Sequence, residues 1–250
     1  MITAVKSAAS LNIPLLSQSI LGRRMLSYLN AYGVDYDFCR FFKVNSSADM
    51  FMFNSTLIIC GNGEDISVDE LLQFIAMHRP FRIEGSQEIL CKLTDVGGYK
   101  MLKRSVFELT PTAVPDDFDE NCVDYSPKLS EAYEILRDGF PNLAEYDLWL
   151  TDTSHRIRHG ISELFVYKNC SVASILYDID DFVLIGQVAT KKAQRGQGST
   201  AGFLKWLAQR LKSQGKSAFL NCLEAIAGYY EHIGFTNVYD EIVFERNDHA

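Results

Sequence analysis

Apolar positions along this chain recur with two periods, and the places where the period changes mark out its elements. Leu16, Ile20, Met25 and Leu29 fall near helical spacing and Gly33 follows as a stop, which predicts a helix over 15–31. Residues 36–60 read as extended. Phe38, Phe41, Phe42 and Val44 lead to a polar turn at Asn45-Ser46-Ser47, and strands over 50–53 and 56–60 follow, joined at Asn54-Ser55. Gly61-Asn62-Gly63 ends that run. Ser67 with Glu70 three residues on makes a capping-box pattern, so 68–78 is predicted as a helix. A strand at 81–84, a helix at 86–94 and a strand at 99–109 complete this part. Residues 110–117 then combine Pro111 and Pro115 with Asp116 and Asp117 and lose the apolar period, which predicts a linker.

The second part opens with a strand near 121–125. Pro127 begins a helix whose buried stripe is Leu129, Ala132, Leu136 and Phe140, and Pro141 ends it. Another helix is predicted over 143–158. Three apolar runs, 162–168, 172–179 and 182–190, are joined by short polar loops at Asn169 and Asp180-Asp181 and read as a meander. A helix over 199–214 carries Phe203, Leu204, Leu207 and Leu211 on one face. A strand at 217–222, a helix at 225–233 and closing strands at 235–245 follow. Such alternation predicts a mixed α/β sheet. The expected organisation is a smaller α/β domain over 1–110, a linker over 111–120 and a second α/β domain over 121–250.

Composition narrows the functions more than the fold. Apolar residues make up 47% of the 250, ordinary for a chain that folds around a core. A formal net charge of −8 gives no general attraction for phosphate backbones, so nucleic acid is not an expected partner. Cys39, Cys60, Cys91, Cys122, Cys170 and Cys222 are scattered without a C-x-x-C pair, and the histidines lack metal-ligand spacing. Neither a disulfide framework nor a metal site is expected. No stretch reads as a membrane span or as a leader peptide, so a cytoplasmic protein without a membrane partner is expected.

The chemistry is expected at Gln194-Arg195-Gly196-Gln197-Gly198-Ser199, between an apolar strand and a helix. Glycines let backbone pass close to a ligand. The first N–H groups of a helix lack internal acceptors, and with the helix dipole they form an anion site suited to a pyrophosphate. Arg195 adds a positive charge. A plain strand-to-helix turn would use the same residues. A Walker loop would need a lysine, but Gly198 is followed by Ser199-Thr200. Gly196-x-Gly198-x-x-Ala201 comes near a dinucleotide fingerprint, yet a meander before it is wrong for a parallel sheet and no acidic ribose partner follows in place.

These residues resemble the GNAT superfamily of N-acyltransferases. Its pyrophosphate motif, Gln/Arg-x-x-Gly-x-Gly/Ala, is matched by Arg195-Gly196-Gln197-Gly198-Ser199-Thr200 except that Thr200 takes the last place. Its second signature, an Asn, an Ala and then L-Y-E-K-L-G-F, resembles 225–235, with Tyr230 at the family's tyrosine. Asn221 falls two residues early and Leu223 holds the asparagine's place. The resemblance spans about 121–246 and includes the βββ-loop-α-β-α-β order. It implies acetyl-CoA as acyl donor, no metal, and acetyl transfer to a small-molecule or peptide amine by direct attack in a ternary complex. Val188, Ala189 and Thr190 would offer the backbone edge on which pantetheine pairs. Gln194, Arg195, Gly196, Gln197, Gly198, Ser199 and Thr200 would hold the pyrophosphate. Tyr230 would give a proton to the departing thiolate, with Tyr229 in that role if the helix register shifts by one. A non-catalytic acyl-CoA-binding regulatory module is the alternative.

Other residues stay open at this level. Glu163, Asp178, Asp180 and Asp181 lie on or between the meander strands, and none is singled out as a base; water could relay the proton. Cys222, at the end of a central strand, leaves a ping-pong route open. Asp152, His155, Arg156, Arg158 and His159 share a helix that is either an acceptor wall or a solvated face. The order of elements over 36–109 resembles the later part of a GNAT fold. There Glu64 and Asp65 stand where phosphates would sit, so that unit, if related, is degenerate and expected to bind no CoA.

Overall fold

The structure, a computed structural model, describes residues 1–93 and 96–247. In chain order its first elements are β1 (Thr3–Ala4), α1 (Ile13–Leu16), α2 (Ile20–Tyr32), β2 (Cys39–Lys43), β3 (Ala48–Phe53), β4 (Thr56–Gly61), α3 (Val68–His78), β5 (Arg82–Gly85), α4 (Gln87–Leu90) and β6 (Tyr99–Glu108). Next come β7 (Val123–Asp124), α5 (Leu129–Gly139), α6 (Tyr146–Arg158), β8 (Glu163–Tyr167), β9 (Ser171–Ile179) and β10 (Phe182–Thr190). The chain ends with α7 (Ser199–Ser213), β11 (Ser217–Leu223), α8 (Glu224–His232) and β12 (Thr236–Arg246). The second series repeats the order of the first. The pairing repeats too: β2–β3–β4 and β8–β9–β10 are antiparallel, while β4–β5 and β10–β11 are parallel across a helix. The fold is mixed α/β, as the alternation of periods predicts.

The chain forms two compact units, residues 1–105 with 240–250, and residues 106–239. This division differs from the one expected at 111–120. That segment packs on the second unit: Val114 and Phe118 lie against its core, Phe118 stacks on Tyr167 at 4.7 Å, and Gln209 donates to the Thr112 carbonyl. Its prolines hide apolar anchors with no period to reveal them. The long strands β6 and β12 each begin in one unit and end in the other. Within the second unit Leu109 N donates to Ala218 O at 2.8 Å, beside β11; within the first, Val243 and Phe244 pair with Glu84 and Ile83 of β5.

Other departures have local causes. The expected helix over 15–31 is two helices. The Ser19 hydroxyl accepts from Gly22 N and starts α2, and a Cβ on Gly22 would lie 2.1 Å from the Leu16 carbonyl oxygen, so α1 ends against it. Helix α4 is shorter than the expected 86–94, whose last residue, Thr94, lies outside the described residues. The expected strand at 121–125 is only Val123–Asp124, because Asp119 accepts from Asn121 N and opens a short 3-10 turn there.

The first unit carries a buried ion cluster. Glu84 on β5 is fully buried, 2.6 Å from Arg104 on β6 and 3.0 Å from Arg24 on α2, and Arg104 meets Glu241 on β12 at 2.6 Å. Burial alone would raise the Glu84 carboxyl pKa, but the Arg104 and Arg24 guanidiniums hold it well below the usual carboxylate range. Glu84→Gln strips a counter-charge from a buried arginine and is expected to destabilise by about 3–5 kcal/mol, read in a urea melt. A loss under about 1 kcal/mol would mean that Glu241 alone satisfies Arg104. Since the folded pKa is depressed, this stabilisation is present above the ordinary carboxylate value of about 4.3 and fades only as pH falls below it toward the folded pKa.

Candidate functional site

The site in the second unit begins with a break in a strand ladder. β10 pairs in parallel with β11 from Phe182↔Ser217 to Ile185↔Leu220 and no further, although both strands continue. On its other side β10 pairs with β9, but between Gly186↔Ser174 and Ala189↔Val172 it carries one extra residue. Gln187 takes that place with φ 50°, and Ser174 Oγ donates to its Oε1 at 3.1 Å. A bulge bends its strand and increases the local twist. The edge of Val188–Thr190 on the β11 side is therefore left without a ladder.

Beyond Thr190 the loop runs into α7. Its N-cap, Gly198, has φ 76° and no side chain to accept from the first turn, and Gly196 has φ 80°. A Cβ on either would meet no atom within 4 Å, so positive φ, not crowding, calls for glycine here. Arg195 closes the loop: its Nε donates to Thr190 O at 3.0 Å and a terminal nitrogen donates to Asp138 O. Lys192 N donates to Asp138 Oδ2 at 3.0 Å, which ties the loop to the end of α5. There Gly139 passes so near β10 that a Cβ would lie 2.8 Å from that of Ala189.

Val188, Ala189, Thr190, Gln194, Arg195, Gly196, Gln197, Gly198, Ser199, Thr200 and Tyr230 all line one cleft of about 660 Å³. Lys205, Ile226 and Tyr229 line it as well. No motif marks Lys205, yet Ala201 and Lys205 lie four apart and so share one helix face. Among the described residues no carboxylate lines the cleft.

The two tyrosines differ. Tyr230 is buried, 5.5 Å from the Phe107 ring, and burial, with smaller contributions from Cys222 and Tyr229, pushes its phenol above the ordinary value. Tyr229 is 41% exposed; burial raises its phenol while a hydrogen bond with Thr200 draws it back. The Thr200 hydroxyl also meets that of Thr190, which meets Ser171 Oγ at 3.0 Å.

The other candidates lie elsewhere. Asp178 pairs with Lys216, and Asp180 and Asp181 are turn residues with φ 53° and 61°. Arg156 is buried, donates to Leu176 O and pairs with Asp152, while the His155 and His159 rings lie 4.1 Å apart, tilted by 31°. Neither these nor Glu163 line the cleft. All six cysteines are thiols, outside any disulfide. Among the described residues no group of His, Cys, Asp and Glu could hold a metal ion, and no helix is long and apolar enough to cross a membrane.

The matching loop of the first unit is closed by its own bonds. Ser67 caps α3 by accepting from Glu70 N, Lys92 Nζ donates to Gly63 O at 2.6 Å, and Asn45 and Ser47 donate to Glu64 O. The β3–β4 register there runs unbroken from Ala48↔Gly61 to Phe53↔Thr56.

No protein-family model matches the chain, and no curated protein matches it in sequence. Solved structures do. A GNAT-family acetyltransferase from Colwellia psychrerythraea matches at TM-score 0.61 and 17% identity, over 99% of this chain and 100% of its own. A GCN5-related N-acetyltransferase from Sphaerobacter thermophilus matches at 0.61 and 13%, over 98% and 95%. Another from Kribbella flavida matches at 0.60 and 14%, over 92% and 96%. At such identities the likeness speaks for architecture, and the chain has the fold of the GNAT acetyltransferases.

Proposed function

We propose that this protein is an N-acetyltransferase that takes acetyl-CoA as acyl donor and an amine as acceptor. The observation that carries the reading is the ladder broken after Ile185 beside the uncapped start of α7, both facing one cleft. An unpaired strand edge suits an extended amide chain, which adds to it as a strand would. The uncapped helix start suits a pyrophosphate, because its first N–H groups lack acceptors and the dipole favours an anion. Lys205 and the Arg195 charge act in the same sense. Acetyl-CoA supplies an activated thioester, and acceptor and donor are held together for direct transfer.

Tyr230 is assigned the acid. Its raised pKa keeps the phenol protonated at neutral pH. The same rise makes complete proton transfer uphill, so its main service is a hydrogen bond that strengthens as charge develops on sulfur. No carboxylate lines the cleft among the described residues, so water relaying the amine proton fits this site better than a dedicated carboxylate base. The acceptor is a small-molecule or peptide amine and the protein works in the cytoplasm, without metal, nucleic acid or membrane.

CoA is expected to raise the melting temperature, because a ligand that binds only the folded state stabilises it. Gly198→Val is expected to abolish the shift while the circular dichroism spectrum stays native. A shift that survives the substitution would move the donor out of this cleft. Tyr230→Phe is expected to lower kcat by about 10²-fold, the low end for general acid catalysis given the raised pKa, with CoA affinity nearly unchanged. The readout is thiol release from acetyl-CoA across a panel of amines, amino acids, polyamines and aminoglycosides. Full turnover in Tyr230→Phe would remove this tyrosine from the chemistry. Wild-type protein that binds CoA but releases no thiol with any amine would favour a regulatory acyl-CoA-binding module.

A further inference from the structure

Thr200 stands where the resembling motif has glycine or alanine, and its hydroxyl is engaged on two sides. It meets the Thr190 hydroxyl at the end of β10 and the Tyr229 phenol on α8. The Thr190 hydroxyl in turn meets Ser171 Oγ at 3.0 Å, and Ser171 is fully buried on β9. Four hydroxyls thus run in series from the sheet interior to the cleft, where Thr190, Thr200 and Tyr229 form part of the wall.

Each hydroxyl has one proton to donate, so such a chain has a direction. If Ser171 donates to Thr190, Thr190 to Thr200 and Thr200 to Tyr229, the Tyr229 oxygen is satisfied as an acceptor. Its own proton is then left for the cleft. Tyr229 is 41% exposed, so that proton is within reach of a ligand. The nearby groups, Lys205 and the start of α7, favour an anion, and an O–H donor adds to them. The opposite direction would turn the Tyr229 oxygen into an acceptor, which no phosphate oxygen can use.

We propose that Thr200 is a positioning residue: through Thr190 and Ser171 it fixes the Tyr229 phenol as a hydroxyl donor to the phosphate part of the acyl donor. This rests on the acyl-CoA reading and assigns Tyr229 to binding, distinct from the part given to Tyr230.

The test is calorimetric titration of the full chain with CoA, for wild type, Thr200→Val, Thr200→Ser, Tyr229→Phe and the Thr200→Val/Tyr229→Phe pair. Valine keeps the shape of threonine and removes the hydroxyl. Thr200→Val is expected to weaken CoA binding about three- to tenfold, the worth of one hydrogen bond, and Thr200→Ser to restore it to within about twofold. Tyr229→Phe is expected to weaken it to a similar degree, and the double variant no more than the weaker single, because both break one chain. Losses that multiply in the double variant would separate the two residues and overturn the inference. So would wild-type affinity in both singles, or a Thr200→Ser no better than Thr200→Val. If Thr200→Val fails to fold, Tyr229→Phe against wild type decides, and unchanged affinity there overturns the inference. Wild-type protein that binds no CoA overturns the acyl-CoA reading and this inference with it. Binding by wild type with no effect of Tyr229→Phe overturns the inference alone.

Discussion

The site depends on one constraint, that β10 cannot keep both of its neighbours along its whole length. The extra residue at Gln187 bends the strand, and the ladder with β11 stops at Ile185. Past that point Ala189 is buried against α5, at the place where only a glycine lets the helix end approach. The bent end of the strand also sets where the loop begins, and so where α7 starts. Had the ladder run to Thr190, the strand edge would be closed and the first turn of α7 would have no cleft to face.

The first unit shows what the same order of elements does without that constraint. β3 and β4 pair without a bulge, Gly61 is enclosed by Ser47 and Ala48, and Ser86 Oγ accepts from Gly61 N. Ser67 caps the helix, and Asp69 and Glu70 place acid in its first turn. Two features of the α7 start are reversed there: a cap replaces an open end, and carboxylates replace arginine and lysine. The loop that carries Glu64 and Asp65 is closed by its own bonds as well. Loop bonds from Asn45, Ser47 and Lys92 occupy its carbonyls before charge is considered.

Most elements were legible because their buried faces keep one period, as in α3, whose predicted and observed bounds coincide. Boundaries failed where a side-chain cap or close backbone approach decides, as at Ser19 and Gly22, since neither alters the apolar pattern. The division of the chain failed for another reason. β6 and β12 read as plain long strands, and nothing in a strand's own residues tells which unit each half joins. The loop and the residues around it were legible from glycine spacing before a helix. The tether from Asp138 to Lys192 and Arg195 was not, because it joins positions more than fifty apart with no periodic relation.

Net charge is a poor guide to this cleft, and the reason is local. The chain carries −8 overall, yet among the described residues its cleft is lined by Arg195, Lys205 and a helix start, with no carboxylate. Interactions between exposed charges fade over about 8–10 Å at physiological salt, so carboxylates on distant surfaces contribute little there. Two acids are engaged elsewhere: Asp138 turns its carboxylate to Lys192 N, and Asp178 is held by Lys216. On the proposed reading such a site suits an anionic donor; burial raises both phenols, and the cleft they share with His232 holds no carboxylate among the described residues. The division between the two tyrosines then follows from depth. Tyr230, packed against Phe107, is shielded from water where a polarised bond benefits from a low dielectric, and Tyr229, at the mouth, meets whatever fills the cleft.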